Sequence, residues 1–118
     1  MQYLLLIYGR EDAWQQLSEA DQARITADMG KFAQEMRESG KLRGGNPLQP
    51  VATATTVRFK DGKRLITDGP FAETKEQLGG YLLIEAADLD EALAIVAKLP
   101  PASPHTAIEI RPVTEVPR

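Results

Sequence analysis

The order of apolar and turn-forming segments predicts an α+β domain in which one sheet carries helices on a single side. Two segments with helical periodicity each follow a capping residue, and strand-length apolar runs flank both of them. Between the two halves, Asp61-Gly62 marks a hairpin turn. The resulting order, β-α-β, hairpin, β-α-β, is a split βαβ or ferredoxin-like arrangement with an inserted β-hairpin. We expect it to occupy residues 1–118 as one domain.

The first half is predicted to hold a strand, a helix and an extended segment. Residues 3–8 form a continuous apolar run, which is typical of a buried strand. Ser18 and Asp21 have the spacing of a helix-start pair, and one apolar helical face follows them. This face consists of Ile25, Met29, Phe32 and Met36. Gly40 is placed to end the helix in a left-handed conformation, and residues 41–50 are expected to be extended.

The predicted hairpin begins with alternating residues from Val51 to Phe59. This alternation favours a half-buried strand, because side chains on a strand point to opposite faces in turn. The turn at Asp61-Gly62 then leads to a returning strand at residues 65–67.

The second half repeats the strand-helix-strand order. Residues 81–86 form a strand that is apolar on both faces, and Asp88 with Glu91 is predicted to start the second helix. Its expected buried stripe is Leu89, Ala92, Leu93, Val96 and Leu99. Prolines at 100–101 stop the helix, and residues 107–113 form the last strand.

The doubly apolar strands predict that two copies associate. Residues 3–8 and 81–86 place large side chains on both faces of the sheet, but two helices cover only one face. Burying each such side chain stabilises a protein by roughly 1.5–3 kcal/mol. We therefore expect a two-fold homodimer joined sheet to sheet, of the dimeric α+β barrel type. The alternative is that the hairpin covers the second face within one chain.

Composition excludes several classes of site and partner. The chain has 118 residues, a net charge of −3, no cysteine and one histidine. Thiolate chemistry, Cys-based zinc sites and multi-histidine metal sites are excluded, so we expect no metal and no cofactor. The basic residues are scattered among acids, which argues against a nucleic-acid partner. No secretory signal or membrane span is recognisable, so we expect no membrane association and a cytoplasmic location.

Residues 67–81, TDGPFAETKEQLGGY, are unusually rich in turn formers and charges. Asp68 can accept backbone donors, Gly69 can take a positive φ, and Pro70 fixes the next φ. The pair Gly79-Gly80 allows a sharp turn or a close approach of another group. These features predict either a well-built connection between strands or a ligand site.

The longer stretch TDGPFAETKEQLGGYLLIEA closely resembles the signature of YCII-related proteins of the DGPF subgroup. The resemblance extends to YLLLIYG, LQPVATATTVR and IEIRPV. It implies a dimeric ferredoxin-like domain and, because such proteins are often encoded beside extracytoplasmic-function sigma factors, a regulatory partner. Other YCII-related proteins look like enzymes with a His–Asp pair. Those positions fall at Met29 and around Pro100 here, so the resemblance does not transfer that mechanism.

Three function classes follow from these residues. The first is binding of a small molecule in a cleft beside the DGPF loop. Its candidate contacts are Tyr8, Asp68, Phe71, Glu73, Lys75, Tyr81 and Arg111. The second is a non-catalytic regulatory or interaction module linked to a sigma factor. The third is a lyase- or hydrolase-type enzyme using carboxylate acid/base groups, for which Asp68 and His105 are the candidate catalytic residues.

Overall fold

The computed structural model describes residues 1–100 and 105–116 and has a mixed α+β architecture. The helices and strands are β1 (Gln2–Gly9), α1 (Glu11–Gln15), α2 (Glu19–Glu38), β2 (Leu42–Pro47), β3 (Thr55–Lys60), β4 (Lys63–Asp68), β5 (Gln77–Glu85), α3 (Leu89–Val96) and β6 (Ala107–Pro112). The main sheet has the order β2-β5-β1-β6 with antiparallel neighbours, which is compatible with a ferredoxin-like fold. No helix in the described ranges is both long and apolar enough to cross a membrane.

Local signals set the ends of the two long helices, as predicted. The Ser18 hydroxyl accepts a hydrogen bond from the Asp21 amide at 3.1 Å, which caps α2. The Asp88 carboxylate accepts one from the Glu91 amide at 2.9 Å, which caps α3. Gly40 follows α2 with a φ of +78°. The short helix α1 was not predicted, because five residues are too few to show a helical period.

The hydrophobic core lies between the helices and one face of the main sheet. Leu5 on β1 and Ile84 on β5 are completely buried at its centre. The other buried members are Tyr3, Phe32, Met36, Leu42, Leu82, Ala86, Ala92 and Ile95. The predicted stripe of α2 is confirmed, since Ile25, Phe32 and Met36 are buried and Met29 is half-buried.

The predicted stripe of α3 was partly wrong. Of the five predicted residues, Ala92 is buried and Val96 and Leu99 pack half-buried against the core, although the helix ends at Val96 and Leu99 lies beyond it. Leu89 and Leu93 remain 51% and 50% exposed, and the buried Ile95 was not predicted. Because Leu89 and Leu93 lie one turn apart, they share a face, and that face is turned away from the sheet. An apolar run cannot reveal which part of it meets the core.

The second face of the main sheet carries apolar side chains that are only half-buried. These residues, called the open sheet face below, are Leu4, Leu6, Tyr8, Tyr81 and Leu83. The smallest dimension of the described molecule is 19 Å. That thickness fits one helix layer on one sheet, since packed layers lie roughly 10 Å apart. A third layer is absent from the described residues.

Strands β3 and β4 form a separate two-stranded sheet, called the β3–β4 arm below (residues 55–68). Asp61 and Gly62 take φ values of 52° and 76° in its turn, as the hairpin signal predicts. The half-buried strand predicted from residue 51 was wrong in two respects. Residues Val51–Thr53 form a 3₁₀ turn, and both strands of the arm are exposed except at Thr56, which is half-buried. The arm therefore does not cover the open sheet face of its own chain.

An ion pair connects α3 to the residue before β2. We expect it to contribute to the loss of folding stability at acid pH. Lys41 Nζ lies 2.9 Å from Glu91 Oε1, and this hydrogen bond lowers the pKa of Glu91 below its ordinary value of 4.5. A carboxyl with a lowered pKa in the folded state stabilises the fold above its unfolded pKa. That contribution is lost as the pH falls through the folded pKa. We expect Glu91→Gln to lose less of its stability than the wild type when urea unfolding is compared at about pH 5 and pH 3.

The control is Asp90→Asn on the same helical turn, where no ion pair with a described residue exists. Asp90→Asn should lose stability with acid as the wild type does. If Glu91→Gln showed the full wild-type loss, the ion pair would have no part in acid sensitivity.

Candidate functional site

The end of β1 meets the start of β5, and an open cleft of about 420 Å³ lies at this junction. Gly9 is paired with Gln77, which brings residues 10–12 next to residues 75–77. The cleft is lined by Arg10, Asp12, Lys75 and Gln77. We call it the Arg10–Lys75 cleft. Two of its lining residues belong to the unusual segment at 67–81.

Side-chain hydrogen bonds fasten the walls of this cleft together. Gln77 Oε1 accepts from the Glu11 amide at 3.1 Å, and Gln77 Nε2 donates to the Thr74 carbonyl at 2.8 Å. Glu11 Oε1 in turn accepts from the Val51 amide at 2.8 Å. Three separate chain segments are thereby held around one cavity by neutral or charge-assisted bonds.

The two cations of the cleft differ in their ion pairs. Arg10 donates twice to Asp12, through Nε to Oδ1 at 3.1 Å and through Nη2 to Oδ2 at 2.7 Å. This hydrogen bonding lowers the pKa of Asp12 and raises that of Arg10, so both remain charged at neutral pH. Lys75 makes no ion pair with any residue in the described ranges. The cleft therefore presents one neutralised cation and one ammonium group that no described carboxylate pairs with.

The glycine pair at 79–80 lies inside β5, because this strand starts at Gln77 rather than at the predicted Tyr81. A Cβ on Gly80 would lie 3.2 Å from the Asn46 carbonyl oxygen of the neighbouring strand. The predicted close approach is thus confirmed for Gly80. The register of β1 against β5 shifts between Ile7 and Tyr8, opposite this glycine pair.

The loop after β4 is anchored to β3 by its backbone. The Gly69 amide donates to the Ala54 carbonyl, and its carbonyl accepts from the Thr56 hydroxyl, both at 2.7 Å. Arg58 Nη2 donates to the Phe71 carbonyl at 2.7 Å. Gly69 has a φ of +95°, as its place in the turn predicts. These bonds make residues 69–71 a well-built connection at the base of the β3–β4 arm.

The predicted site residues fall into three places. Tyr8, Tyr81 and Arg111 lie on the outward side of the main sheet, while Lys75 lines the cleft. The remaining three predicted contacts have exposed side chains: Asp68 is the last residue of β4, and Phe71 and Glu73 lie in the connection after it. Phe71 is 74% exposed. His105 is exposed just before β6, next to residues 101–104, which lie outside the described ranges.

Polar groups flank the open sheet face. The Tyr8 hydroxyl donates to Glu109 Oε1 at 3.3 Å, and Asn46 Nδ2 donates to the Tyr81 hydroxyl at the same distance. Burial raises the pKa of Tyr8, and the charge of Glu109 adds to this, whereas Arg111 opposes it. Tyr8 is therefore a neutral hydrogen-bond donor at physiological pH. This face has an apolar centre with a polar margin, which is the usual anatomy of a protein interface.

Sequence reasoning missed Arg10, Asp12 and Gln77. The strand order of a split βαβ arrangement places the first strand beside the strand after the insertion. Applied to this sequence, that rule would have brought residues 10–12 close to residues 75–77. Met29 and Pro100 stand near the positions of the His–Asp pair, and neither a thioether nor a proline side chain can transfer a proton. Met29 is half-buried on α2, and Pro100 borders a smaller cavity of about 250 Å³.

Comparison with known proteins places the chain in a family. The chain is 40% identical over 114 residues to an uncharacterised protein of Rhizobium meliloti (strain 1021). The alignment covers 96% of this chain and 92% of that relative. The model of the YCII-related domain matches residues 1–117. On this evidence the chain belongs to the YCII-related domain family.

Proposed function

We propose that this protein is a dimeric member of the DGPF subgroup that binds a small molecule carrying a carboxylate or phosphate in the Arg10–Lys75 cleft. One observation carries the proposal: two cations from distant parts of the chain line the same cavity of about 420 Å³. Pockets that hold small molecules have volumes of roughly 300–1,000 Å³. Lys75 also belongs to the segment on which the subgroup resemblance depends.

The available donors favour one small anionic group, such as a carboxylate or a single phosphate, over a polyanion. Lys75 contributes a compact ammonium group that has no counter-ion among the described residues. Arg10 has five N–H donors, of which the bonds to Asp12 use two. Asp12 meanwhile repels a second negative charge at the same place. Gln77 is engaged with Glu11 and Thr74, so its main role is to hold the walls in position.

Titration with inorganic phosphate and with benzoate, followed by ¹H–¹⁵N NMR, tests the cleft. We expect saturable shifts of the amides at residues 10–13 and 74–78, because those segments form its walls. Lys75→Met should weaken binding about tenfold, since a charge-assisted hydrogen bond is lost. The same measurement on Lys63→Met is the control, because Lys63 lies on the β3–β4 arm. Equal weakening in both variants, or shifts spread over every basic residue, would contradict the cleft assignment.

The proposed dimer places the open sheet faces of two copies against each other. In this proposal the body is a ferredoxin-like domain, the β3–β4 arm is its inserted hairpin, and the dimer is of the α+β barrel type. The half-buried apolar centre formed by Leu4, Leu6 and Leu83 supports this arrangement. The polar margin supplied by Glu109 and Arg111 would lie at the rim of the interface.

A regulatory interaction module linked to a sigma factor is the second candidate. The observation that favours it is Phe71, whose side chain is 74% exposed while its carbonyl accepts a hydrogen bond from Arg58. Aromatic residues are enriched among the side chains that dominate protein contacts. Acid/base catalysis by Asp68 and His105 is not part of the proposal, because both side chains are exposed and neither lines the cleft. If phosphate and benzoate leave the spectrum unchanged, the interaction module becomes the better account.

A further inference from the structure

The β3–β4 arm has two chemically different faces. The register pairs Val57 with Ile66, and Phe59 lies two residues along on the same side. These three side chains are 46%, 64% and 78% exposed, respectively. Arg64, the cross-strand partner of Phe59, lies at the end of this apolar face. The opposite face carries Leu65 and the three other basic residues of the arm. They are Arg58, Lys60 and Lys63.

The β3–β4 arm needs a further packing partner to be stable. A two-stranded ribbon is only marginally stable alone in water, and three or more strands or a packed face are normally required. The described part of the chain packs nothing against the apolar face of this ribbon, as the exposure of Phe59 and Ile66 shows. Exposed clusters of large apolar side chains with polar residues around them are typical of sites of association.

We infer that the apolar face of the β3–β4 arm docks on a second copy of this chain. The inference rests on the dimer proposed above and adds the arm to its interface. The distribution of charge along the chain favours a second copy as the partner of the arm. Residues 55–68 hold four basic and two acidic residues, a net charge of +2, which leaves −5 on the remainder of a chain whose total is −3. The arm is therefore attracted to the body of another copy, while two arms repel each other.

The area available on the main sheet points the same way. Four strands of six to nine residues span roughly 20 Å by 25 Å, which gives a projected area on the order of 500 Å². A stable interface buries about 800 Å² of accessible surface on each partner. The open sheet face alone is smaller than that area. The apolar face of the arm, two strands wide, adds on the order of 200 Å² and brings the total closer to a standard interface.

Sedimentation equilibrium of matched variants tests the role of the arm. The double variant Phe59→Ser/Ile66→Ser removes the exposed apolar groups without touching the core, so its circular dichroism should match that of the wild type. We expect it to raise the dissociation constant of the dimer about tenfold or more. Leu65→Ser is the control, because Leu65 is 46% exposed on the other face of the same arm. It should change the dissociation constant about threefold or less.

Photo-crosslinking locates the contact. A benzoylphenylalanine at position 59, in a mixture of unlabelled and ¹⁵N-labelled protein, should give crosslinked peptides of mixed isotope composition. A wild-type dimer whose dissociation constant is unaffected by the double variant, or crosslinks within single chains only, would overturn this inference and leave the sheet-to-sheet dimer standing. A wild-type species of 13.0 kDa at all concentrations would overturn both. Neither result bears on the phosphate and benzoate titration of the Arg10–Lys75 cleft.

Discussion

Replacing Gly45 with alanine is expected to destabilise the fold by about 2–4 kcal/mol. A Cβ at this position would lie 2.5 Å from the Tyr81 carbonyl oxygen and 2.6 Å from Leu82 Cδ2. The backbone of Gly45 also has a φ of +150°, a conformation that residues with a side chain rarely adopt. Because Gly45 pairs with β5, relief of the clash requires separation of β2 from the sheet. Urea unfolding followed by circular dichroism measures the loss.

The neighbouring glycine provides a matched control. An added Cβ at Gly44 meets no atom within 4 Å, although Gly44 lies on the same strand. Gly44→Ala should therefore change the free energy of unfolding by no more than about 1 kcal/mol. Equal losses in the two variants would show that the clash with β5 is not the cause.

Ile84→Ala is expected to cost about 3–4 kcal/mol of the free energy of unfolding. Ile84 is completely buried between the sheet and the helices, and its removal leaves a cavity that the closely packed surroundings fill only partly. Thermal and urea unfolding of this variant should show a lower midpoint with an unchanged denaturant slope.

Leu83→Ala is the control for Ile84→Ala, because Leu83 is the adjacent residue on the open sheet face. In dilute protein its cost should be smaller by at least about 1 kcal/mol, since the side chain is only half-buried in a single chain. At concentrations where the proposed dimer forms, its cost should increase. A large cost that does not depend on concentration would argue that the open sheet face is already covered within one chain.

Local chemistry made much of the fold predictable from sequence. The caps at Ser18 and Asp88 and the turn at Asp61-Gly62 act within three or four residues, so their signals are readable in the sequence. The exposure of the β3–β4 arm could not be predicted from the sequence. An alternating strand has the same pattern whether its apolar side meets its own chain or another one. In the same way, an apolar run on a helix does not show which residues meet the core, so Leu89 and Leu93 were wrongly assigned to the buried side of α3.

The candidate site was only partly predictable. Lys75 was identified because it belongs to an unusual motif, whereas Arg10 and Asp12 stand in a stretch without any recognisable pattern. Their role depends on the pairing of β1 with β5, whose residues are about seventy positions apart in the chain. Such a site forms only when distant strands pair, so the spacing of neighbouring residues in the sequence does not reveal it.

The position of the β3–β4 arm has a consequence for how the chain folds. The chain leaves the main sheet where the Leu48 amide bonds the Gly79 carbonyl at 2.8 Å, so β2 and β5 close a long loop. Hairpins form locally in about 1–10 μs, long before distant strands find each other. Whenever it is formed, even as a marginally stable ribbon, the arm roughly halves the flexible length of that loop and lowers its closure cost by about 0.6 kcal/mol. The arm would then speed the pairing of β2 with β5, although it belongs to a different sheet.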